Sequence, residues 1–117
     1  VPVEGLVDLN EELISNPVST FFGKVRGISL VDDDIDDSDS VIVDRMLDPR
    51  WGGLAVCVTS EGFTMKYVEV HDDGAVWLMP GNRDYVPIRI TGENERLIWG
   101  IVTHSIRQLK TKKGGAL

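Results

Sequence analysis

Apolar and polar residues alternate in short runs along most of the chain, and glycine, proline or aspartate residues separate the runs. This pattern is typical of β-strands joined by turns. One long run is interrupted at Ser60, Glu61 and Gly62, which predicts two strands joined as a hairpin. About seven short strands are predicted in total, within the segments STFFGKVRG, SVIVDR, GGLAVCVTSEGFTMKYVEVH, GAVWLMP, YVPIRI and RLIWGIVTHSIRQL.

The ends of the chain are predicted to differ from this pattern. Residues 8–16 (DLNEELISN) form a short helix in this interpretation, with Asp8 or Asn10 as its N-cap and Pro17 beyond its end. Residues 1–7 are expected to be a flexible arm, and the basic, glycine-rich residues 110–117 a frayed tail. The prediction is therefore one mostly β domain over residues 1–117, with strands in a sandwich or partly closed barrel.

Two strand predictions carry further detail. Val, Ile and Trp are enriched in RLIWGIVTHSIRQL, which favours a long terminal strand over a helix. Pro87 lacks a backbone N–H, so the strand within YVPIRI should lie at an edge of the sheet or contain a bulge.

Composition excludes several classes of function. The chain has 12 basic and 19 acidic residues and a formal net charge of -7, so no direct binding to nucleic acid is expected. Cys57 is the only cysteine, which rules out an intrachain disulfide and fits a reducing compartment. The apolar runs are too short to cross a bilayer and no signal peptide is visible, so we expect a cytoplasmic protein with no membrane partner.

The acidic segment between the first two predicted strands is a candidate calcium loop. Asp32, Asp34 and Asp36 match the first ligand positions of an EF-hand. However, Asp37 stands where the loop needs glycine, and Val43 where it needs a bidentate glutamate. We therefore interpret the segment as a solvated acidic turn, and expect no metal site and no cofactor.

The histidines offer little support for metal or triad chemistry. His71 precedes Asp72, Asp73 and Gly74 and should lie in an exposed turn, whereas His104 falls in the last predicted strand. Their spacing does not indicate zinc ligands. A Ser-His-Asp triad assembles in space and stays open at this point, although no nucleophile-elbow motif is present.

Ser29 and Lys66 form another candidate pair. A serine becomes nucleophilic when a base removes its proton, and a lysine can be that base when its amine is neutral. Strand alternation places Lys66 on the same face as Thr64, Val68 and Val70, which is compatible with partial burial beside apolar neighbours. The residues alone leave open whether the pair is catalytic or whether Ser29 lies in a turn and Lys66 in solvent.

Several separated motifs together resemble one known family. DLNEELISNPVSTFFGKVRGISL, SDSVIVD, EGFTMKYVEV, MPGNRDYVPIRI and WGIVTH occur in the order found in UmuD proteins. These proteins are relatives of the C-terminal peptidase domain of the LexA repressor. The resemblance extends from Asp8 to about Gln108 and implies a LexA/UmuD-type peptidase fold with curved strands.

The resemblance also implies chemistry and partners. The family's Gly-Asp-Ser-Met serine is the nucleophile and corresponds to Ser29, and its Phe-Thr-x-Lys lysine is the general base and corresponds to Lys66. The family cleaves itself during the SOS response, when RecA–single-stranded-DNA filaments stimulate removal of an N-terminal segment. The trimmed UmuD form is a homodimer that joins a UmuC-like Y-family polymerase to give the translesion enzyme, DNA polymerase V.

The sequence departs from the family pattern around the serine. Ile28 and Leu30 replace the Asp and Met of the motif, and Asp33, Asp34 and Ser38 replace usual glycines. An Asp side chain can shape a turn through hydrogen bonds, which an Ile cannot do, whereas Leu and Met are close in volume. We expect the geometry of the dyad to be retained with altered efficiency.

The position of the cleaved bond separates two functional hypotheses. The chain begins at Val1 without an Ala-Gly or Cys-Gly bond ahead of the domain, so we expect that bond upstream of Val1 and interpret the chain as a processed or truncated product. A short upstream segment would favour a UmuD-like protein. A helix-turn-helix domain would favour the alternative, which is the dimerisation and self-cleavage domain of a LexA-like or phage-type repressor.

Overall fold

The strands form one antiparallel sheet in a computed structural model that describes residues 5–6, 8–26, 35, 38–60, 62–80 and 86–109. The helix α1 spans Leu9–Leu13, and 3₁₀ turns span Pro17–Ser19, Pro49–Trp51 and Glu95–Leu97. The strands are β1 Thr20–Lys24, β2 Ser40–Asp44, β3 Gly53–Thr59, β4 Gly62–Val70, β5 Val76–Met79, β6 Ile88–Ile90 and β7 Ile98–Ile106.

The strand order explains how a sequence of short hairpins becomes one sheet. The order is β1-β2-β7-β3-β4-β5-β6, and every pairing is antiparallel. The C-terminal strand β7 lies between β2 and β3 and joins the two hairpin-connected parts of the sheet. Among the described strands, β1 and β6 are the open edges, so the predicted mostly β class is confirmed and takes the form of an open sheet.

Most element predictions hold in the structure. Asp8 caps α1, since its carboxylate accepts a hydrogen bond from the backbone N–H of Asn10 at 2.9 Å, but the helix ends at Leu13 and is shorter than predicted. Strand β6, which follows Pro87, lies at the edge of the sheet, as predicted from the missing backbone N–H of the proline. The hairpin between β3 and β4 is present, although Glu61 lies outside the described residues.

Two hydrophobic clusters pack on opposite faces of the sheet. Adjacent residues alternate between them, since Ala55 and Val56 on β3, and likewise Ile101 and Val102 on β7, contact different clusters. The first cluster contains Val25, Ile35, Val41, Val43 and Val102. The second cluster contains Ala55, Cys57, Val68, Val76, Leu78 and Ile101.

Candidate functional site

Lys66 lies in the middle of β4, where it pairs across the sheet with Ala55 of β3. The side chains of Ala55 and Cys57 point to the same face and are fully buried, at 0% and 1% exposure. Lys66 itself is half-buried, one of the two states that the sequence left open. Its amine-bearing side chain therefore leaves the sheet beside apolar neighbours rather than from an open surface.

The chemistry of Cys57 is constrained by the same environment. Burial raises the pKa of the Cys57 thiol to about 11, and the nearby positive charge of Lys66 partly opposes that rise. The thiol is therefore neutral near neutral pH, and a buried neutral thiol is a poor nucleophile. Cys57 forms part of the wall next to Lys66 and does not compete with a serine for the nucleophilic role.

A groove of about 710 Å³ opens on the face of the first cluster. Val41, Val43 and Val56 line it together with Met65, so much of its lining is apolar. Its remaining lining residues come from the end of β1 and the residues after it, from β4 and from β7: Phe21, Phe22, Gly23, Lys24, Val25, Arg26, Phe63, Thr64 and Trp99.

The groove joins two stretches that are far apart in sequence. Residues 24–26 immediately precede the segment that contains Ser29, and residues 63–65 immediately precede Lys66. In the strand order, β1 and β4 are separated by β2, β7 and β3, yet both border one groove because the sheet curves. Lys66 itself does not line the groove, because it pairs with Ala55 of the second cluster and its side chain leaves β4 on the opposite face from Met65.

Aromatic side chains line one wall of the groove. The ring of Trp99 packs edge-on against Phe21 and Phe63, with centroid separations of 5.2 Å and 5.6 Å. The Arg45 guanidinium lies 4.4 Å from the Trp99 ring centroid, and Arg45 Nε donates a hydrogen bond to the Trp99 carbonyl at 3.0 Å. These contacts connect β1, β4 and β7, and they hold an exposed apolar wall in place.

The predicted nucleophile Ser29, with Ile28 and Leu30, lies outside the described residues, as do Asp32, Asp34 and Asp36 of the acidic segment. Within that segment Ile35 is described and is only 2% exposed, in the first cluster. Val43, the last position of the candidate calcium loop, is a buried strand residue. That placement agrees with the rejection of the EF-hand.

Among the described residues, the two histidines contact Glu69, Trp77 and Thr103. His71 is exposed, with Nε2 2.8 Å from Glu69 Oε1 and its ring stacked on Trp77 at 5.5 Å. His104 Nδ1 lies 2.9 Å from Thr103 Oγ1, on the half-buried part of β7. Within the described ranges, no three His, Cys, Asp or Glu side chains cluster closely enough to hold a metal ion.

Sequence reasoning missed a buried carboxylate that attaches the N-terminal segment to the sheet. Asp44 is 4% exposed and accepts hydrogen bonds from Asn16 Nδ2 at 2.8 Å, Ser19 Oγ at 2.7 Å and the Met46 backbone N–H at 2.9 Å. Burial would raise the pKa of Asp44, but these donors outweigh it and the pKa is lowered. The sequence signal that could have identified this carboxylate is its position at the end of an apolar strand.

Sequence reasoning also missed the aromatic wall of the groove. Phe21, Phe63 and Trp99 belong to three strands that are distant in sequence, and nothing in the local pattern links them. Phe21 and Phe63 are both exposed, and their contact with one tryptophan depends on the strand order.

In the part of the chain that the structure describes, no helix has the length and hydropathy needed to cross a bilayer.

Comparison with known proteins assigns the chain to a family. The model of the family described as Peptidase S24-like matches residues 2–103. MucA proteins of Salmonella typhimurium and Escherichia coli are each 36% identical over 101 residues, which cover 86% of this chain and 68% of theirs. The LexA repressor of Xylella fastidiosa is 28% identical over 104 residues, covering 89% of this chain but only 49% of the repressor.

These matches bear out the resemblance to the UmuD and LexA proteins, and the MucA match is the stronger of the two kinds in identity. The match to the family model extends across α1 and all of β1 to β6 and includes most of β7. The chain is a member of the Peptidase S24-like family.

Proposed function

We propose that the chain is a self-cleaving serine peptidase domain in which Ser29 is the nucleophile and Lys66 the general base. The observation that carries the proposal is the position of Lys66 in the middle of β4, where it is half-buried and pairs with the buried Ala55. Membership in a peptidase family supports the reaction class. Lys66 is half-buried, and Ala55 and Cys57 beside it are fully buried. This apolar environment supports its role as the base.

The proposed chemistry follows from an uncharged amine. The neutral Lys66 amine takes the proton of the Ser29 hydroxyl while the serine oxygen bonds to the carbonyl carbon of the cleaved peptide bond. The carbon–nitrogen bond then breaks, and the leaving amine takes its proton from the Lys66 ammonium. Water hydrolyses the resulting ester by the same proton transfers in reverse order and regenerates the serine.

The substrate in this proposal is a peptide bond in the protein's own chain. An open groove with an apolar floor and aromatic walls suits an extended peptide, because alternate side chains of such a peptide face the groove. The basic residues Lys24 and Arg26 border the same groove and would attract acidic or carbonyl groups of that peptide.

The proposed biological role is that of a UmuD-like SOS mutagenesis protein. In this role the trimmed chain forms a homodimer and serves as an accessory subunit of a UmuC-like Y-family translesion polymerase. RecA–single-stranded-DNA filaments would activate the cleavage. The similarity to MucA over most of both chains supports this role. The acidic net charge is consistent with contact to DNA through partner proteins.

The alternative role is the C-terminal dimerisation and self-cleavage domain of a LexA-like or phage-type repressor. The LexA matches favour it, because they cover 89% and 83% of this chain at 28% identity. Both roles use the same peptidase site. The coding sequence ahead of Val1 separates them, since a repressor requires a DNA-binding domain there.

The test uses the natural full-length protein with activated RecA filaments, or with raised pH in their absence. We expect an N-terminal fragment to be released by the wild type and not by Ser29→Ala. Lys66→Arg is the sharper variant for the base, because it retains a positive charge on a side chain that is not deprotonated in proteins. Ser105→Ala changes an exposed serine at the end of β7 and is the matched control.

Cleavage by wild type and Ser105→Ala at equal rates, with both dyad variants intact, is the expected result. Release of the same fragment by Ser29→Ala at the wild-type rate would remove Ser29 from the reaction. Release by Lys66→Arg at that rate would remove the role of Lys66 as the base.

A further inference from the structure

Four strands place Asp44 and Lys66 in one row across the sheet. Asp44 on β2 pairs with Ile101 on β7. Ile101 pairs in turn with Ala55 on β3, and Ala55 pairs with Lys66 on β4. Directly paired residues of antiparallel strands share a face, and Ala55 and Ile101 both belong to the second cluster. Asp44 and Lys66 therefore leave the same face of the sheet.

The row also determines how far apart the two side chains begin. Neighbouring strands lie about 4.8 Å apart, so three steps separate the Cα atoms of Asp44 and Lys66 by roughly 14 Å. Four or five extended residues span about the same distance, at about 3.3 Å per residue. A chain segment that is anchored at Asp44 is therefore held close to Lys66, on the face from which the Lys66 side chain leaves the sheet.

The N-terminal segment is anchored at Asp44 by two side chains. Asn16 Nδ2 donates a hydrogen bond to Asp44 Oδ2 at 2.8 Å, and Ser19 Oγ donates to Asp44 Oδ1 at 2.7 Å. The Arg45 backbone N–H also donates to the Ser19 carbonyl at 2.9 Å. Of these three contacts, that of Asn16 lies nearest the N-terminus. It therefore sets the direction in which the preceding chain leaves the anchor.

Helix α1 depends on this anchor for its direction. None of its five residues is buried, and a helix of this length is not stable by itself. Leu13 at its end and Ser15 after it line a small cavity together with Asp44 and Leu47. Leu47 packs against the second cluster. The chain just ahead of the anchor is therefore held on the same face as the second cluster.

We propose that the Asn16–Asp44 hydrogen bond directs the N-terminal segment along the face of Lys66 and so presents the cleaved bond to that base. Asn16 and Asp44 are positioning residues, since they act through the segment and do not contact the reacting atoms. The inference rests on the proposed function, in which Lys66 is the base and an N-terminal fragment is released. Anchoring the segment raises the effective concentration of the cleaved bond at the base.

The first experiment measures self-cleavage of the full-length protein at raised pH without RecA. Asn16→Asp, the anchor variant, removes the donated hydrogen bond and places a second carboxylate against Asp44, so the two side chains repel each other. Val18→Asp is the matched control, because it adds the same charge in the same turn on a side chain that is 96% exposed. The anchor variant should cleave about 10- to 100-fold more slowly, and Val18→Asp should match the wild type.

Two further variants separate positioning from damage to the fold. Asn16→Ala removes the donor without adding a charge, and it should also slow cleavage if the variant is folded by circular dichroism. The double variant Asn16→Asp, Asp44→Asn restores an amide–carboxylate pair with the two groups exchanged, and it should recover a large part of the lost rate. The anchor variant should keep the wild-type pH dependence of cleavage, because the surroundings of Lys66 are unchanged.

The second experiment locates the N-terminal segment without using activity. A spin label is attached at Leu9→Cys in a full-length Cys57→Ala, Lys66→Arg chain, since Leu9 is exposed. The Leu47 methyl signals, on the second-cluster face, should lose more intensity than those of Val43 in the first cluster. Adding the anchor substitution should abolish that difference.

Wild-type cleavage rates in the folded anchor variant would overturn the inference and leave the peptidase proposal intact. The inference would also be overturned if the exchanged pair failed to recover the rate, or if the pH dependence shifted. Equal loss of the Leu47 and Val43 signals in the anchored chain would have the same consequence. Cleavage by Lys66→Arg at the wild-type rate, or no cleavage by the wild type, would instead overturn the proposed function itself.

Discussion

Asp44 shows how one side chain can determine where the N-terminal segment lies. Its two carboxylate oxygens accept hydrogen bonds from Asn16, Ser19 and the Met46 amide, so the chain before β1 is attached to the end of β2. All of these donors stabilise the ionised form. The pKa of Asp44 is therefore lowered, although burial alone would raise it.

A group with a lowered folded-state pKa stabilises the fold above its unfolded value and loses that contribution as pH falls. An unfolded aspartate has a pKa of about 3.9. We predict that Asp44→Asn lowers the free energy of unfolding by about 1–3 kcal/mol at pH 7, as expected for lost hydrogen bonds to a charged group. Urea unfolding at several pH values measures this.

The difference between wild type and Asp44→Asn should shrink as the pH falls below about 5, because Asp44 takes up a proton first in the unfolded state and, since its pKa is lowered, only at lower pH in the native state. Asp73→Asn is the control, since Asp73 is exposed and accepts one backbone hydrogen bond in a turn. A difference that stayed constant from pH 7 to pH 3 would contradict the role assigned to the charge of Asp44.

Cys57 gives a second prediction at the residue scale. Its thiol is 1% exposed, and its pKa is raised to about 11 mainly by burial. Native protein should therefore react with a thiol-specific disulfide reagent at pH 8 at least about 100-fold more slowly than protein unfolded in urea. Fast reaction of the folded protein, followed by absorbance, would show that the wall beside Lys66 is open.

At the scale of the elements, the contact of β7 with β2 is unusually close at Gly100. A Cβ atom at Gly100 would lie 2.6 Å from Val43 Cγ1 and 3.4 Å from the Asp44 carbonyl oxygen. The pairing register of β2 and β7 also shifts between Ile42 and Val43. Gly100 thus permits the close approach of the strand that joins the two halves of the sheet.

Gly100→Ala should lower the free energy of unfolding by about 1–3 kcal/mol, the usual range for an overpacked core. Gly92→Ala is the control, because a Cβ atom there would have no neighbour within 4 Å. Thermal or urea unfolding of both variants measures the difference. Equal stabilities of the two variants would mean that β2 and β7 can separate at this point without loss.

Elements were predictable from the sequence to different degrees. The apolar run in SVIVDR and the glycine-containing turn of the β3–β4 hairpin identified those strands, and Pro87 identified an edge, because these signals are local. The insertion of β7 between β2 and β3 was not predictable in this way. It depends on which apolar faces meet after the chain has folded, and strand propensity contains no information about partners.

At the scale of the whole molecule, the candidate site depends on curvature of the sheet. Residues from β1, β4 and β7 line the groove, although they are separated along the sequence by long segments. The sequence indicated Ser29 and Lys66 through the family resemblance, and strand alternation was compatible with the half-buried state that the structure gives Lys66. The aromatic wall needed tertiary structure, because its members come together only across strands.

The distribution of charge at this scale also bears on the site. The chain carries a net charge of -7, whereas Lys24 and Arg26 border the groove and Arg45 packs on its aromatic wall. A locally basic groove on an acidic protein favours approach of peptide groups with negative or carbonyl character, and the acidic remainder of the surface opposes binding to nucleic acid.

The central claim is that a neutral Lys66 amine activates Ser29, and the pH dependence of self-cleavage tests it most directly. The measurement is the first-order rate of fragment release by full-length protein, without RecA, from pH 6 to pH 10. Because the reaction requires the deprotonated lysine, the rate should rise by about tenfold per pH unit along its ascending limb. Lys66→Arg and Ser29→Ala should show no release at any pH. A rate that is independent of pH, or a rising limb that persists in Lys66→Arg, would contradict the account.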